Sequence, residues 1–182
     1  MPKGPLTEPQ QDQPRTHKPR HRRRGFCFSG TLPASEWTLK MTFTSDTEIE
    51  RIARGLVDRT LPKAEWTHAG HFAAALWLVR ADFEAAQRDM PGMIRAYNES
   101  VGGINSDTEG YHETITQASL RAARLSLTKA AADTPLHFVL KDLMAGEFGK
   151  PDWLLTYWSK PVLFSVAARR EWVAPDLQPL PF

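Results

Sequence analysis

Residues 62–82 read PKAEWTHAGHFAAALWLVRAD, and this stretch decides the fold class. Its part from Ala69 to Val79 is apolar on nearly every side of a helical projection. Such a pattern is typical of a helix at the centre of a domain rather than on its surface. Proline is tolerated in the first turn of a helix, so Pro62 is expected to begin it. The stretch therefore predicts a central helix that the rest of the domain covers.

Helical patterns separated by turn signals lie on both sides of this stretch. Upstream, apolar residues recur at three- and four-residue spacings from Ser45 onward. Downstream, the next helix is expected to be interrupted at Pro91 and Gly92. The later helical segments are YHETITQASLRAARLSLTKAAA, TPLHFVLKDLMAG, PDWLLTYWS and KPVLFSVAARREW. The sequence therefore predicts an all-α domain over residues 45–173, an irregular bundle of about six or seven helices.

The two ends of the chain differ in composition from this domain. Residues 1–24 hold seven basic and two acidic residues, a net charge of +5, whereas the remainder holds 16 basic and 19 acidic residues, a net charge of −3. Residues 1–40 are expected to be a disordered basic, proline-rich tail, with Met41 a candidate for the true start. Strand-like alternation occurs only around residues 37–43. Residues 174–182, which include three prolines, are expected to run extended.

Composition excludes several classes of protein. No apolar run approaches the roughly 18–20 residues that span a bilayer, and the arginine-rich stretch before Cys27 is not followed by the apolar core of a secretory signal. Cys27 is the single cysteine, so no intrachain disulfide can form, which suits a reducing compartment. We therefore expect a cytoplasmic protein without a membrane partner. The domain has no basic stripe, so nucleic acid is expected only at the tail. The oligomeric state stays open.

Three histidines carry the main functional signal. His68 and His71 lie three residues apart, so their side chains share one face of the central helix. His112 stands at the start of the next long helix and is the natural third partner. Imidazoles in this arrangement can hold one metal ion, with zinc, iron or nickel the favoured divalent ions. Three protein ligands would leave a coordination position open for water or substrate.

The residues around His112 are candidate catalytic groups. Glu113 lies about 100° around the helix from His112, so it is expected to point aside and to cap the start of its own helix. Thr116, one turn beyond His112, is placed to be its hydrogen-bond partner, and Tyr111 could bring a phenol to the cluster. His137 stands alone on an apolar helix and is interpreted as structural.

Several functions remain open at this point. With metal, the three histidines would serve a hydrolase, transferase or oxygenase that acts on an unknown small molecule. Without metal, they could act as a general acid–base pair. A di-iron centre is a further alternative, because Glu65 and Glu109 each precede a histidine by three residues; it also needs glutamates from other helices. In the last alternative, the histidines are structural and the protein is a non-enzymatic helical interaction module.

The motifs W-T-H-x-x-H at residues 66–71, Y-H-E-T-I-T at residues 111–116 and the C-terminal PDLQPLP resemble a family of small bacterial all-α proteins of unknown function. The resemblance covers roughly residues 60–181 and implies no established activity. Its pattern includes the three histidines and Glu113 but does not require Glu65 or Glu109, which weakens the di-iron alternative. The resemblance also implies a continuous helix where this chain has Pro91.

Overall fold

The computed structural model describes Met1, Gly4 and residues 43–182 of the chain. They form seven α-helices and no strand, which confirms the predicted all-α fold. The predicted tail, apart from Met1 and Gly4, and nearly all of the strand-like segment lie outside the described residues. The helices are α1 (Asp46–Val57), α2 (His68–Ala81), α3 (Phe83–Ser100), α4 (Glu113–Lys129), α5 (Leu136–Ala145), α6 (Lys160–Leu163) and α7 (Val166–Arg170).

α2 is the central helix, as its apolar pattern predicts. It packs against α1, α3, α4 and α5, and residues 72–76 together with Val79 are buried. A helix that has neighbours on several sides needs apolar residues around most of its circumference. Neither α2 nor any other described helix has the length and apolar character that a membrane crossing would need.

The start of α2 lies later than predicted. Pro62 begins only a short 3-10 turn at Lys63–Glu65, and the α-helix begins at His68. Thr67 is the N-cap of α2. Its hydroxyl accepts a hydrogen bond from the N–H of Gly70 at 3.1 Å. A side-chain cap of this kind satisfies one of the free donors of the first turn. His68 is therefore the first residue of α2, whereas a helix that began at Pro62 would have placed it more than one turn from the start.

α3 runs without interruption through Pro91, so the predicted break at Pro91 and Gly92 is wrong. Proline has no N–H, which leaves the carbonyl of Gln87, four residues earlier, without its helical partner. Nε2 of Gln117 on α4 donates a hydrogen bond to that carbonyl at 3.1 Å. In return, Nε2 of Gln87 donates to Oε1 of Gln117 at 3.1 Å. A neighbouring helix thus supplies the donor that the proline lacks, and the helix continues.

We expect Gln117→Leu to lower the free energy of unfolding by about 2 kcal/mol, because it leaves the partly buried carbonyl of Gln87 without a donor. In a Pro91→Ala background, the restored N–H can reach that carbonyl, so the same substitution should cost about 1 kcal/mol less. Urea denaturation of the wild type, the two single variants and the double variant measures this coupling. Equal costs in both backgrounds would contradict the proposed exchange of donors.

Asn105 holds the loop between α3 and α4. Its Oδ1 accepts hydrogen bonds from the backbone N–H of Tyr111 at 3.1 Å and from Nδ2 of Asn98 at 3.0 Å. Its Nδ2 donates to the carbonyl of Arg95 at 3.0 Å. One side chain therefore ties the last turns of α3 to the residue that precedes His112, and so positions the start of α4.

The C-terminal segment after α7 has no regular secondary structure, bends at residues 176–178 and packs against the helical domain. The N–H of Leu177 donates to the carbonyl of Tyr157 at 3.0 Å, and the carboxylate of Asp176 accepts from the N–H of Ser159 at 2.8 Å. Leu180 packs against the hydrophobic core. These contacts attach residues 174–182 to the surface of the helical domain.

His137 joins the starts of α1 and α5. Its Nδ1 lies 2.7 Å from Oδ1 of Asp46, and its backbone N–H donates to the same oxygen at 2.9 Å. Asp46 lies in the first turn of α1, so the contact links two helices. This position agrees with the structural interpretation of His137 and makes it a suitable control for the other histidines.

Candidate functional site

A pocket of about 370 Å³ opens between α2, α3 and α4. Apolar side chains form most of its wall, and a few polar groups are placed among them, as in many sites for small molecules. The apolar wall consists of Trp66, Ala75, Met90, Ile94, Ile115 and Leu120. The polar side chains at the pocket are His71, Asn98, His112, Thr116 and Ser119.

His71 lines this pocket, and its ring is accessible to a bound molecule. Its side chain is exposed, and the edge of its ring packs against Trp66 with 4.0 Å between ring centroids. The rings of the other three described histidines each bond an oxygen acceptor. The ring nitrogens of His71 have no such partner within the described part of the chain. His71 therefore has hydrogen-bonding capacity available to a bound molecule.

The surrounding protein keeps His71 neutral. Burial lowers the pKa of His71 to about 4, and the nearby positive charge of protonated His68 lowers it further in the same direction. Water reaches the ring through the pocket, but protein encloses it on its other sides, so the ring is less hydrated than its exposed surface suggests. At pH 7 the neutral imidazole offers one N–H donor and one acceptor nitrogen.

We expect His71 to titrate well below the ordinary histidine pKa of 6.5, with a midpoint near 4. Between these values the unfolded chain binds more protons than the folded one, so stability falls as the pH is lowered through that interval. Water in the pocket screens part of the effect. An NMR titration of the imidazole Hε1 measures the pKa, and His71→Gln should remove this part of the pH dependence. A midpoint at 6.5 or above would contradict the expectation.

His112 lines the same pocket but both of its ring nitrogens are engaged. As the N-cap of α4, it accepts a hydrogen bond at Nδ1 from the N–H of Ile115 at 3.4 Å. Its Nε2 donates to the carbonyl of Leu163 at 2.9 Å, so the ring proton resides on Nε2. The residue is 7 % exposed, and this burial lowers the pKa of His112. His112 therefore connects α4 to α6.

His68 does not line the pocket. From the first turn of α2, its Nε2 donates to the carbonyl of Phe148 at 2.9 Å. Its ring meets Phe72 edge-on, with 5.2 Å between the centroids. His68 thus connects the start of α2 to the short turn that follows α5.

The structure therefore gives the three histidines three different contacts, and only His71 and His112 share a pocket. Among residues 43–182, no group of three or more His, Cys, Asp or Glu side chains is arranged to hold a metal ion. Ligation by all three imidazoles would require His68 and His112 to leave their carbonyl partners. Joint metal binding by His68, His71 and His112 stays a prediction.

The candidate catalytic residues divide between the pocket and the contact of α3 with α4. The hydroxyl of Tyr111 donates to Glu113 at 2.7 Å, and Nε2 of Gln117 donates to the other carboxylate oxygen at 2.9 Å. Burial, and next the carboxylate of Glu113, raise the pKa of Tyr111 well above its ordinary value. Thr116 is the one of the three that lines the pocket. The carboxylate of Glu113 bonds Tyr111 and Gln117 rather than capping its own helix.

The glutamates of the di-iron alternative have separate surroundings. Glu65 forms an ion pair with Arg51, and Glu109 is exposed in the loop before α4. Of the glutamates that could complete such a centre, Glu147 accepts a hydrogen bond from the hydroxyl of Tyr157 at 2.8 Å. The described residues therefore show no assembled carboxylate cage.

The sequence patterns did not indicate the part of the pocket wall that α3 contributes. Met90 and Ile94 lie four residues apart on α3, as do Ile115 and Ser119 on α4, so each pair shares a helix face. This spacing could have indicated two faces that meet α2. The expected break at Pro91 separated Met90 from Ile94 and hid the first of these faces.

Comparison with known proteins gives no match to a family model, a curated protein or a solved structure. The class of protein is therefore defined by the fold and the site themselves. It is a helical domain with a mostly apolar pocket, at which the ring of His71 has no hydrogen-bond partner among the described residues. The resemblance to small bacterial proteins of unknown function remains an expectation from the sequence.

Proposed function

We propose that this chain is a cytoplasmic protein that binds a small, mostly apolar molecule between α2, α3 and α4. The observation that carries the proposal is the position of His71, whose ring lines the apolar pocket and has no hydrogen-bond partner among the described residues. The volume of about 370 Å³ falls within the range of roughly 300–1,000 Å³ that is usual for small-molecule sites.

The polar groups of the pocket favour a ligand that donates a hydrogen bond. Ser119 already uses its hydroxyl proton on the carbonyl of Ile115 at 2.8 Å, which leaves its oxygen as an acceptor. The neutral ring of His71 also offers an acceptor nitrogen. The Oδ1 atom of Asn98 is a further acceptor, because its Nδ2 donates to Asn105. The bound molecule would therefore carry a hydroxyl, amine or amide N–H.

The lowered pKa of His71 favours one of two roles for this residue. A general base works best when its pKa lies near the operating pH, whereas the pKa of His71 is about 4. Proton abstraction at neutral pH would therefore be inefficient. The proposed role of His71 is to accept a hydrogen bond and orient the ligand, which serves a binding protein and an enzyme equally.

The test uses phenol and toluene, two probes of similar size that differ in one hydroxyl donor. In two-dimensional NMR spectra of the full chain, we expect both probes to shift the amides of Ala75, Ile94 and Thr116. Phenol should bind about tenfold more tightly, the value of roughly one hydrogen bond. Toluene that binds as tightly as phenol, or shifts that lie elsewhere, would refute the proposal.

Two variants locate the effect. His71→Leu replaces the imidazole with an apolar side chain of similar reach, so it should remove the preference for phenol while toluene still binds. His137→Leu changes a histidine at the contact of α1 with α5, and it should leave the preference intact. If both variants lose the preference, the hydrogen bond is not made by His71.

A second candidate is the metal-dependent form of the same site. Its support is the lowered pKa of His71, because imidazole binds a metal ion in its deprotonated state. A zinc, iron or nickel ion would be held by His71, with His68 and His112 as further ligands if their carbonyl bonds opened. The protein would then be a metal-dependent hydrolase, transferase or oxygenase.

Metal analysis of protein purified without a histidine tag tests this candidate. Stoichiometric metal that is lost in His71→Ala but kept in the control His137→Ala would support it. Protein that contains no metal, and takes up none when zinc, iron or nickel is added, would rule it out. The phenol experiment is independent of this result, because it needs no metal.

A further inference from the structure

A second cavity, of about 360 Å³, lies along a more C-terminal part of α4 than the His71 pocket. Two arginines of α4, Arg121 and Arg124, line it together with Phe83, Leu125, Thr128 and Phe182. No acidic side chain is among these described lining residues. The cavity therefore combines two positive charges with aromatic and aliphatic walls.

Each arginine is held against an aromatic ring. The guanidinium carbon of Arg121 lies 3.9 Å from the centroid of the Trp172 ring, and that of Arg124 lies 4.2 Å from the centroid of the Phe83 ring. A cation over an aromatic face is attracted by the ring quadrupole. The contact also restricts the long side chain, so its N–H groups need less ordering when they meet a ligand.

Neither arginine has a counter-charge in the described part of the chain. Arg51, Arg54, Arg88 and Arg170 form ion pairs with carboxylates, whereas the other described arginines, Arg121 and Arg124 among them, form none. Arg121 and Arg124 make neither an ion pair nor a hydrogen bond with a described residue. They lie three residues apart on α4, where like charges repel. Burial of Arg121, which lowers its pKa, adds to the cost of this unpaired charge.

We propose that Arg121 and Arg124 form a binding site for a small organic anion. The two guanidinium groups would hold a carboxylate or phosphate group, for which their forked N–H donors are suited. The rings of Phe83 and Phe182 would contact an apolar part of the same molecule. This site is separate from the His71 pocket, and its occupant would relieve the repulsion between the two arginines.

The test titrates the full chain with benzoate and phenyl phosphate, and with benzyl alcohol as a neutral probe of similar size. NMR resonances of the Arg121 and Arg124 Nε–H groups and of the Trp172 indole N–H report on the site in the wild type. We expect both anions or one of them to shift these resonances, while benzyl alcohol does not. The anion that binds more tightly identifies the acidic group that the site prefers.

Variants then test the two arginines. Arg121→Gln and Arg124→Gln should each weaken binding by roughly tenfold or more, the usual effect of removing a charged hydrogen-bond donor. Arg95→Gln is the matched control, because Arg95 also stacks on an aromatic ring, Tyr111, with 4.0 Å between guanidinium carbon and ring centroid. It should leave the affinity unchanged.

A conservative variant separates loss of binding from loss of folding. Arg121→Lys keeps the charge but not the forked donors, so its affinity should lie between that of the wild type and that of Arg121→Gln. The proposal is overturned if neither anion shifts the reporter resonances of the wild type at about 10 mM. It is also overturned if Arg95→Gln weakens binding as much as the two α4 variants do.

Discussion

His112→Ala should lower the free energy of unfolding by about 3 kcal/mol. The substitution removes the side-chain cap of α4, a change that usually costs about 1 kcal/mol. It also leaves the carbonyl of Leu163, which accepts from Nε2 at 2.9 Å, without its donor, at a further cost of about 1–3 kcal/mol when the group is buried. Urea denaturation followed by circular dichroism measures the loss.

Two further variants separate the contributions of His112. His112→Asn retains a good capping oxygen for the N–H of Ile115 but is too short to reach Leu163, so its cost should be intermediate. His137→Ala breaks a contact that is only partly buried and should cost less than either. A loss below about 1 kcal/mol in His112→Ala would contradict the structural role of this residue.

The same experiment distinguishes a structural His112 from a metal ligand. If His112 acts through Ile115 and Leu163, the loss of stability is equal with and without a chelator such as EDTA. If His112 holds a metal ion, the wild type loses stability in EDTA and the difference between the two proteins shrinks. The first outcome is expected, because both ring nitrogens already have protein partners.

The sequence predicted the central part of the fold more accurately than the ends of its helices. The apolar circumference of α2 indicated a central helix because burial on all sides leaves an unmistakable pattern. The start of α2 was misplaced because Pro62 and Thr67 both carry start signals, and the local sequence does not show which one prevails. The break at Pro91 was wrong because the compensating donor, Gln117, is distant along the chain.

The candidate site was predictable only at the level of residue type and face. Spacing paired His68 with His71 and offered His112 as the third partner, whereas in the structure only His71 and His112 line one pocket. It could not show that the carbonyls of Phe148 and Leu163 accept from His68 and His112. Those carbonyls belong to residues more than fifty positions away along the chain. Every residue has a backbone carbonyl, so the sequence does not indicate which one accepts the hydrogen bond. The sequence alone does not distinguish a histidine that donates to a backbone carbonyl from a histidine that binds a metal ion.

Gly110→Ala should be the most damaging single-methyl change near the site, with a loss of about 3 kcal/mol or more in the free energy of unfolding. Gly110 has a φ of +78°, and a Cβ there would lie 2.1 Å from the carbonyl oxygen of Ile104. The left-handed conformation alone costs an alanine about 1 kcal/mol. The remainder comes from the clash, because a backbone carbonyl cannot rotate away as a flexible side chain can.

Gly102→Ala is the matched control, because Gly102 has nearly the same φ, +76°, but nothing within 4 Å of the added Cβ. It should therefore show only the conformational cost of about 1 kcal/mol. Relief of the clash at Gly110 would move the neighbouring N–H of Tyr111 away from Asn105 and shift His112 at the pocket. Gly110→Ala should consequently also weaken phenol binding, whereas Gly102→Ala should not. Equal losses of stability in the two variants would show that the loop can move to accommodate the added methyl group at residue 110. The contacts of the loop would then not position the start of α4.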